Sequence, residues 1–401
     1  MLLLPLLLFF ACGGEKKKGS KENTIAAQDS LSYGSFDTNA VITFDVMKTY
    51  PEKEITLQDI ADVEYIPLET GKDILLNNSV GNICLVSDSN IVAISPHNGY
   101  CYVFDRKGRP RSSFVHQGNG GKEYRNILGA FVDEEKEEIY INDHLLKYRI
   151  QVYSFSGEYK RTLPLPPGMF LDSPHNYSSD YILCADSHID GAANPRTKPY
   201  VLLSKKTGEI GGTLDILFHN RISPHFRMQT EKGLTMAKLK YEPIIKCNKD
   251  YIIGDISSDT IYSYTSEGVL SPLLARTPSV YDMEVPVLLY PALKTERYFF
   301  FSAVVRQFDF NTMTGFPETH LVYDYVQNRT FRSNLVNADC PSQKIDFNSS
   351  GAVDVKLNNT VCQLIPSEEL IKGTATGRLK DIALKQKEDD NPVLMLVHFK
   401  R

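Results

Sequence analysis

Tryptophan is absent from the 401-residue chain, although 22 tyrosines and 20 phenylalanines are present. Its absence weighs against a strong glycan site, which usually stacks sugars on broad aromatic platforms. No Cys-x-x-Cys pair, His-x-His pair or His-Glu-x-x-His segment occurs, so no metal centre and no cofactor is expected. No Gly-x-Ser-x-Gly elbow occurs either, which removes the commonest hydrolase nucleophile. The formal net charge of −5 supplies no basic field for phosphate backbones, so nucleic acid is excluded as a first partner.

What is present begins with MLLLPLLLFFA at residues 1–11. This apolar run is too short to span a bilayer, which takes about 20 residues, and has the character of a secretion signal. Ala11, Cys12, Gly13 and Gly14 resemble the lipobox of bacterial lipoproteins, although Phe9 departs from the aliphatic residue usual in it. The resemblance implies acylation of Cys12 and a lipid anchor in the membrane. Residues 12–40 are polar and poor in large apolar groups, which predicts a flexible tether. Lys16, Lys17 and Lys18 stand where surface-exported lipoproteins carry acid, pointing to the periplasmic face of the outer membrane. The six remaining cysteines are even in number, but most lie in apolar strand-like runs without regular spacing, as buried free thiols would.

Residues 41–401 repeat. Five segments share an apolar strand, a tight polar turn and a second strand, with Gly108, Gly157, Gly208, Gly268 and Asn328 at the turns, at intervals of 49, 51, 60 and 60 residues. Glycine and asparagine are what a positive-φ hairpin position selects. A further β-rich run precedes each hairpin, at 90–95, 137–143, 180–186, 250–257 and 297–305. Units of this length built from antiparallel strands predict an all-β fold, a six-bladed β-propeller. A sixth unit is expected from AVDVKL (352–357), TVCQLI (360–365) and PVLMLVHFK (392–400), with a short helical insertion of two helices between the last two. The N-terminal strand VEYIPL is expected to close that last blade and remove its exposed edge.

The segments LQDIADVEYIPLET (57–70), FDRKGRP (104–110), GNGGKEY (118–124), IYIND (139–143), VYSFSGEYKRTLPLP (152–166) and DDNPVLMLVHFK (389–400) resemble the six-bladed β-propeller lipoproteins of the Bacteroidetes, NHL-like or TolB-like in character. The resemblance covers nearly the whole mature chain. It implies a fold and a compartment rather than an activity.

Two segments concentrate charge, hydrogen-bonding capacity and aromatic surface. GNGGKEYR offers Glu123, Tyr124 and Arg125 beside a glycine run that could form an anion nest or only let the chain cross between blades. HNRISPHFR offers His225 and Arg227 in the connection before blade four, for a carboxylate or a sugar, or as a solvated loop. Both are expected at the ring mouth formed by the loops entering the inner strands. The function read from this pattern is a monomeric binding or scaffolding module engaging an envelope protein or a glycan, rather than an enzyme. The alternative is a lyase or hydrolase whose residues converge from several blades.

Overall fold

A computed structural model describes residues 41–400 except 77–82, 144–147, 188–196, 231–232, 343–344 and 346–358. Cys12, the tether and AVDVKL therefore lie outside the described residues.

Antiparallel sheets follow one another along the chain as expected. Blade one is Ile83–Val86, Asn90–Ile94, Tyr100–Asp105 and Pro110–Val115, each strand paired with the next. Blade two is Gly129–Asp133, Glu138–Asn142, Arg149–Ser154 and Tyr159–Pro164. Blade three is Leu171–Asn176, Tyr181–Asp186, Tyr200–Ser204 and Ile210–Thr213. Blade four is Ile244–Cys247, Asp250–Ile253, Thr260–Tyr264 and Leu270–Thr277. Blade five is Val287–Lys294, Tyr298–Val305, Glu318–Asp324 and Arg329–Val336. In blade six Thr360–Ile365 pairs with Val393–Phe399, which pairs antiparallel with Ala61–Pro67 from the N-terminus. Helices Ser367–Lys372 and Gly377–Ala383 fill the insertion, with Leu370 and Leu379 buried.

The core is divided into wedges because each sheet hides both faces against its neighbours. Ile94, Val103 and Phe114 of blade one pack with Ile139, Ile141 and Tyr153 of blade two. Similar clusters join blades two and three, three and four, four and five, and five and six. The closing wedge sets Ile66, Leu394 and Leu396 of blade six against Cys84, Tyr102 and Phe104 of blade one. Buried Asn391 locks the same seam: its Oδ1 accepts from Leu76 N at 2.6 Å and its Nδ2 donates to Glu69 O at 2.9 Å.

The turn residues hold the conformation their identity implied, with φ of +79°, +85°, +77° and +84° at the four glycines and +50° at Asn328. At Gly108 and Gly208 a second constraint acts. A Cβ there would collide with the carbonyl oxygens of Pro67 and Pro164 in the preceding blades, so the outer hairpins lean on their neighbours through bare backbone.

The N-terminal segment does more than close blade six. Ile42–Asp45 adds a parallel fifth strand to blade four against Leu274–Thr277, and Glu52–Thr56 does so for blade five against Arg332–Val336. Ile42, Phe44, Ile55 and Leu57 of this belt are buried. Lys53 Nζ lies 2.8 Å from the fully buried carboxylate of Asp324, which Arg297 also reaches at 3.3 Å. Burial would raise the Asp324 carboxyl, but the hydrogen bonds from Lys53 and Arg297 hold it below its ordinary range.

Deleting the chain up to residue 40 is expected to leave solubility and melting temperature unchanged. Deletion through Leu68 strips three blades of their outermost strands and should give aggregated protein. Deletion through Tyr50 removes buried Ile42 and Phe44, with Val46 and Tyr50 packed beside them, from one wedge and should cost about 3 kcal/mol or more in chemical denaturation. Equal midpoints for the three truncations would show that the belt adds nothing.

Candidate functional site

The antiparallel order gives the ring two unlike faces. Turns between first and second, and third and fourth, strands lie on one, here called the turn face. Loops between second and third strands, and the crossovers between blades, lie on the other, the crossover face.

Glu123, Tyr124, Arg125, His225 and Arg227 all belong to crossovers, the first three between blades one and two and the last two between blades three and four. Tyr124 is a core residue, against the expectation that it faces a ligand. It is fully buried, its hydroxyl donates to Gly99 O at 2.5 Å and accepts from His116 N at 3.0 Å, and its ring stands edge-on to Tyr153. The Glu123 carboxylate accepts from Gly120 N at 2.6 Å, closing the glycine turn on itself. Arg149, held 3.3 Å from the buried Asp143 carboxylate, donates to the carbonyls of Gly121 and Glu123, and Gln151 does the same. With its carbonyls gathered inward and Asp143 accepting from the amides of Arg125 and Asn126, the glycine run serves the crossing between blades. Arg125 alone of the three is exposed. His225 and Arg227 lie in a strand, His225–Thr230, paired with Gly233–Lys238 as a hairpin, where the residues alone suggest an irregular connection.

The enclosed space lies at the opposite mouth. On the turn face a cavity of about 370 Å³ runs past blades one to four, the size of a small-molecule site. Its floor is apolar, from Leu85, Val86, Val92 and Val132. Glu134 and Glu135 stand at its blade-two side and Lys246 and Lys249 at its blade-four side, with Tyr177 and Ser178 of blade three between them. Rigid polar contacts frame it. Lys205 and Asp133, both buried, pair at 2.7 Å, and Lys205 also donates to Asn176 Oδ1 at 2.5 Å. Burial presses the Lys205 ammonium below its ordinary range while Asp133 opposes that shift. Tyr177 stacks on Tyr264, and Lys249 reaches Glu267 at 3.1 Å. None of the cavity's charged groups is signalled in the sequence, because each comes from a strand end or turn that carries no motif of its own.

A second cluster lies between the inner strands of blades three and four. A bulge after Asp172 puts Ser173 at φ +45°, a conformation that costs a non-glycine residue on the order of 1–3 kcal/mol. Ser173 Oγ lies 3.3 Å from His175 Nε2, and both reach Ile244 O at 3.1 Å. The ring nitrogen beside the serine therefore donates to a carbonyl and cannot take the serine proton. This is a structural contact rather than an activated nucleophile. Glu242 is only half-buried by surface, yet protein surrounds its carboxyl. Burial first, then the nearby Asp172 carboxylate, push it up to about 7, against a hydrogen bond from Ser173 and the charges of Lys238 and Lys240. Among the described residues no group of three or more histidine, cysteine or acidic side chains could hold a metal ion.

Two measurements check these assignments. Tyr124→Ala should destabilise the fold by about 4 kcal/mol, as an emptied aromatic core position does, while Arg125→Ala should stay within about 0.5 kcal/mol; a thermally silent Tyr124→Ala would return that residue to the surface. A carboxyl whose folded pKa is raised contributes stability that is fully present below its unfolded value near 4.5 and is lost as pH rises through about 7. Glu242→Gln should thus raise the melting temperature at pH 8 by about 2 °C or more and flatten its decline between pH 5 and pH 8. An unchanged profile would mean that Glu242 is ionised throughout that range.

A solved structure agrees with this architecture. A Bacteroides fragilis protein whose name assigns it to the exported proteins superposes with a TM-score of 0.60 at 14% identity, covering 90% of this chain and 100% of its own. A member of the DUF4221 family from Bacteroides vulgatus aligns at 10% identity over 86% of this chain and 99% of its own, with a TM-score of 0.40. No protein of curated function matches. The family model described as "Domain of unknown function (DUF4934)" matches residues 41–398, from the first strand of the belt to the last strand of blade six, and the chain belongs to that family.

Proposed function

We propose that the protein is an exported binding module of the bacterial cell envelope, a monomeric ring anchored through Cys12 in the outer membrane and facing the periplasm. The turn-face cavity would take a small ligand bearing both charge signs, of amino-acid to dipeptide size, free or as the end of an envelope protein. The carrying observation is the cavity itself, with an apolar floor, Glu134 and Glu135 at one side and Lys246 and Lys249 at the other. Complementary charges held in a concave site give orientation and specificity. The B. fragilis protein, whose name assigns it to export, supports the compartment, as does the lipobox-like segment at Cys12. A catalytic reading draws on Asp172 and Glu242, a carboxyl near 7 beside a second carboxylate. It gains nothing from Ser173 and His175, whose polar groups are committed to Ile244 O.

The test is calorimetric titration with free amino acids, dipeptides and neutral oligosaccharides. Dipeptides are expected to bind, and Glu134→Gln and Lys246→Met should each weaken them at least tenfold without moving the unliganded melting temperature. Binding of neutral oligosaccharides alone, or equal affinities in the variants, would remove the cavity as the site.

A further inference from the structure

The His225–Lys238 hairpin stands on the crossover face, in the connection entering blade four. Its root is fixed. Phe226 meets Phe316 edge-on at 5.2 Å, the Arg306 guanidinium lies 4.5 Å over the Phe226 ring, and Arg306 Nη2 donates to Ser223 O. Below it Leu239, Val280, Leu288 and Tyr290 form a buried cluster separate from the six wedges, against which Ile222, Tyr241 and Phe316 pack. The outward side is uncovered. Strand alternation puts Leu234 and Met236 there, 57% and 55% exposed, beside Lys238, with Arg227 opposite Met236 and Gln229 opposite Leu234 in the register. Exposed Lys240 follows two residues on.

An interface for another protein is normally centred on aromatic anchors and depleted of lysine. The outward residues named here include no aromatic anchor and two lysines, with the flexible aliphatic groups of Leu234 and Met236 interleaved among cations. That is the chemistry of a segment lying in the headgroup region of a bilayer, apolar tips down and cations against phosphates. The tether has to reach past the ring to allow this. The described chain begins at the outer edge of blade four, where Ile42 pairs with Leu274 and the strand runs from the turn face towards the crossover face. The stretch from Cys12 to Val41 can reach about 100 Å when extended, so an anchor at Cys12 leaves the ring free to lay this face on the membrane. That last step rests on the lipid-anchor reading; the side-chain pattern does not.

We propose that the outward face of the His225–Lys238 hairpin docks on the anionic headgroup surface of a lipid bilayer, with Leu234 and Met236 at the acyl boundary and Arg227, Lys238 and Lys240 against phosphates. The acyl chain would then set the distance to the membrane, and the hairpin the orientation.

The experiment uses the chain without residues 1–12, so that no acyl group contributes, and sedimentation with vesicles of phosphatidylcholine alone or with one-third phosphatidylglycerol. The protein is expected to bind the anionic vesicles, at least tenfold more weakly in 0.5 M salt. The double variants Leu234→Ser with Met236→Ser, and Arg227→Glu with Lys238→Glu, should each lose tenfold or more at unchanged melting temperature. A fluorophore on Leu234→Cys should shift to the blue on anionic vesicles. Absence of parent binding, equal binding by the variants, equal binding to neutral vesicles, or an unshifted fluorophore would each overturn the proposal, as would capture of the hairpin by a protein without vesicle binding. Vesicle binding by the truncated chain, with the full chain released from membranes by 0.5 M salt, would refute the anchor and leave the docking face standing.

Discussion

Every blade of this molecule is apolar on both faces, and neither face can be left to water. A four-stranded sheet such as Ile83–Val115 hides Ile91 and Phe104 on one side and Val103 and Phe114 on the other. Neighbours must therefore stand on both sides, and the condition is met for all blades at once only when the row closes. In blade six the outer strand is Ala61–Pro67, supplied from the other end of the fold. The positive-φ glycines, the Asn391 clasp and the buried Asp324 pair all serve that closure by bringing edges and corners close enough to pack.

Much of this is legible in the sequence because the signals are local. Turns that need positive φ select glycine or asparagine wherever they recur, so the series from Gly108 to Asn328 marks the blades by residue type and spacing alone. VEYIPL is legible because a missing strand has to come from somewhere. The two parallel additions, Ile42–Asp45 and Glu52–Thr56, are not, since an edge strand paired in parallel needs no turn and leaves no mark in its own residues. Tyr124 misleads for a related reason. In a polar, glycine-rich segment it has the look of a surface group, but its partners Gly99, His116 and Tyr153 come from elsewhere in the chain and nothing nearby announces them.

The candidate sites divide the same way. Glu134 belongs to blade two and Lys246 and Lys249 to blade four, and only the ring brings them to one cavity, so a linear reading has no spacing to find. The crossover face is the one that departs from the repeat. There the His225–Lys238 hairpin, with Phe308–Asp309 and Thr314–Gly315 near it in a second, shorter one, rises out of an otherwise regular ring. Additions beyond what the wedges need point to the face on which this chain differs from a bare scaffold.

The belt also reverses the order of synthesis. Residues 42–67 leave the ribosome before the strands they join, which run from Leu270–Thr277 to Val393–Phe399. The outermost strands of half the ring must wait, unpaired, for more than 200 residues of chain to follow, and that of blade six for more than 300. A chain whose Ala61–Pro67 strand has no place until Val393–Phe399 is made stays open until its synthesis is nearly complete. Loss of even the final strand would leave Ala61–Pro67 without a partner, so an incomplete chain remains recognisably unfinished to proteases that clear unfolded protein.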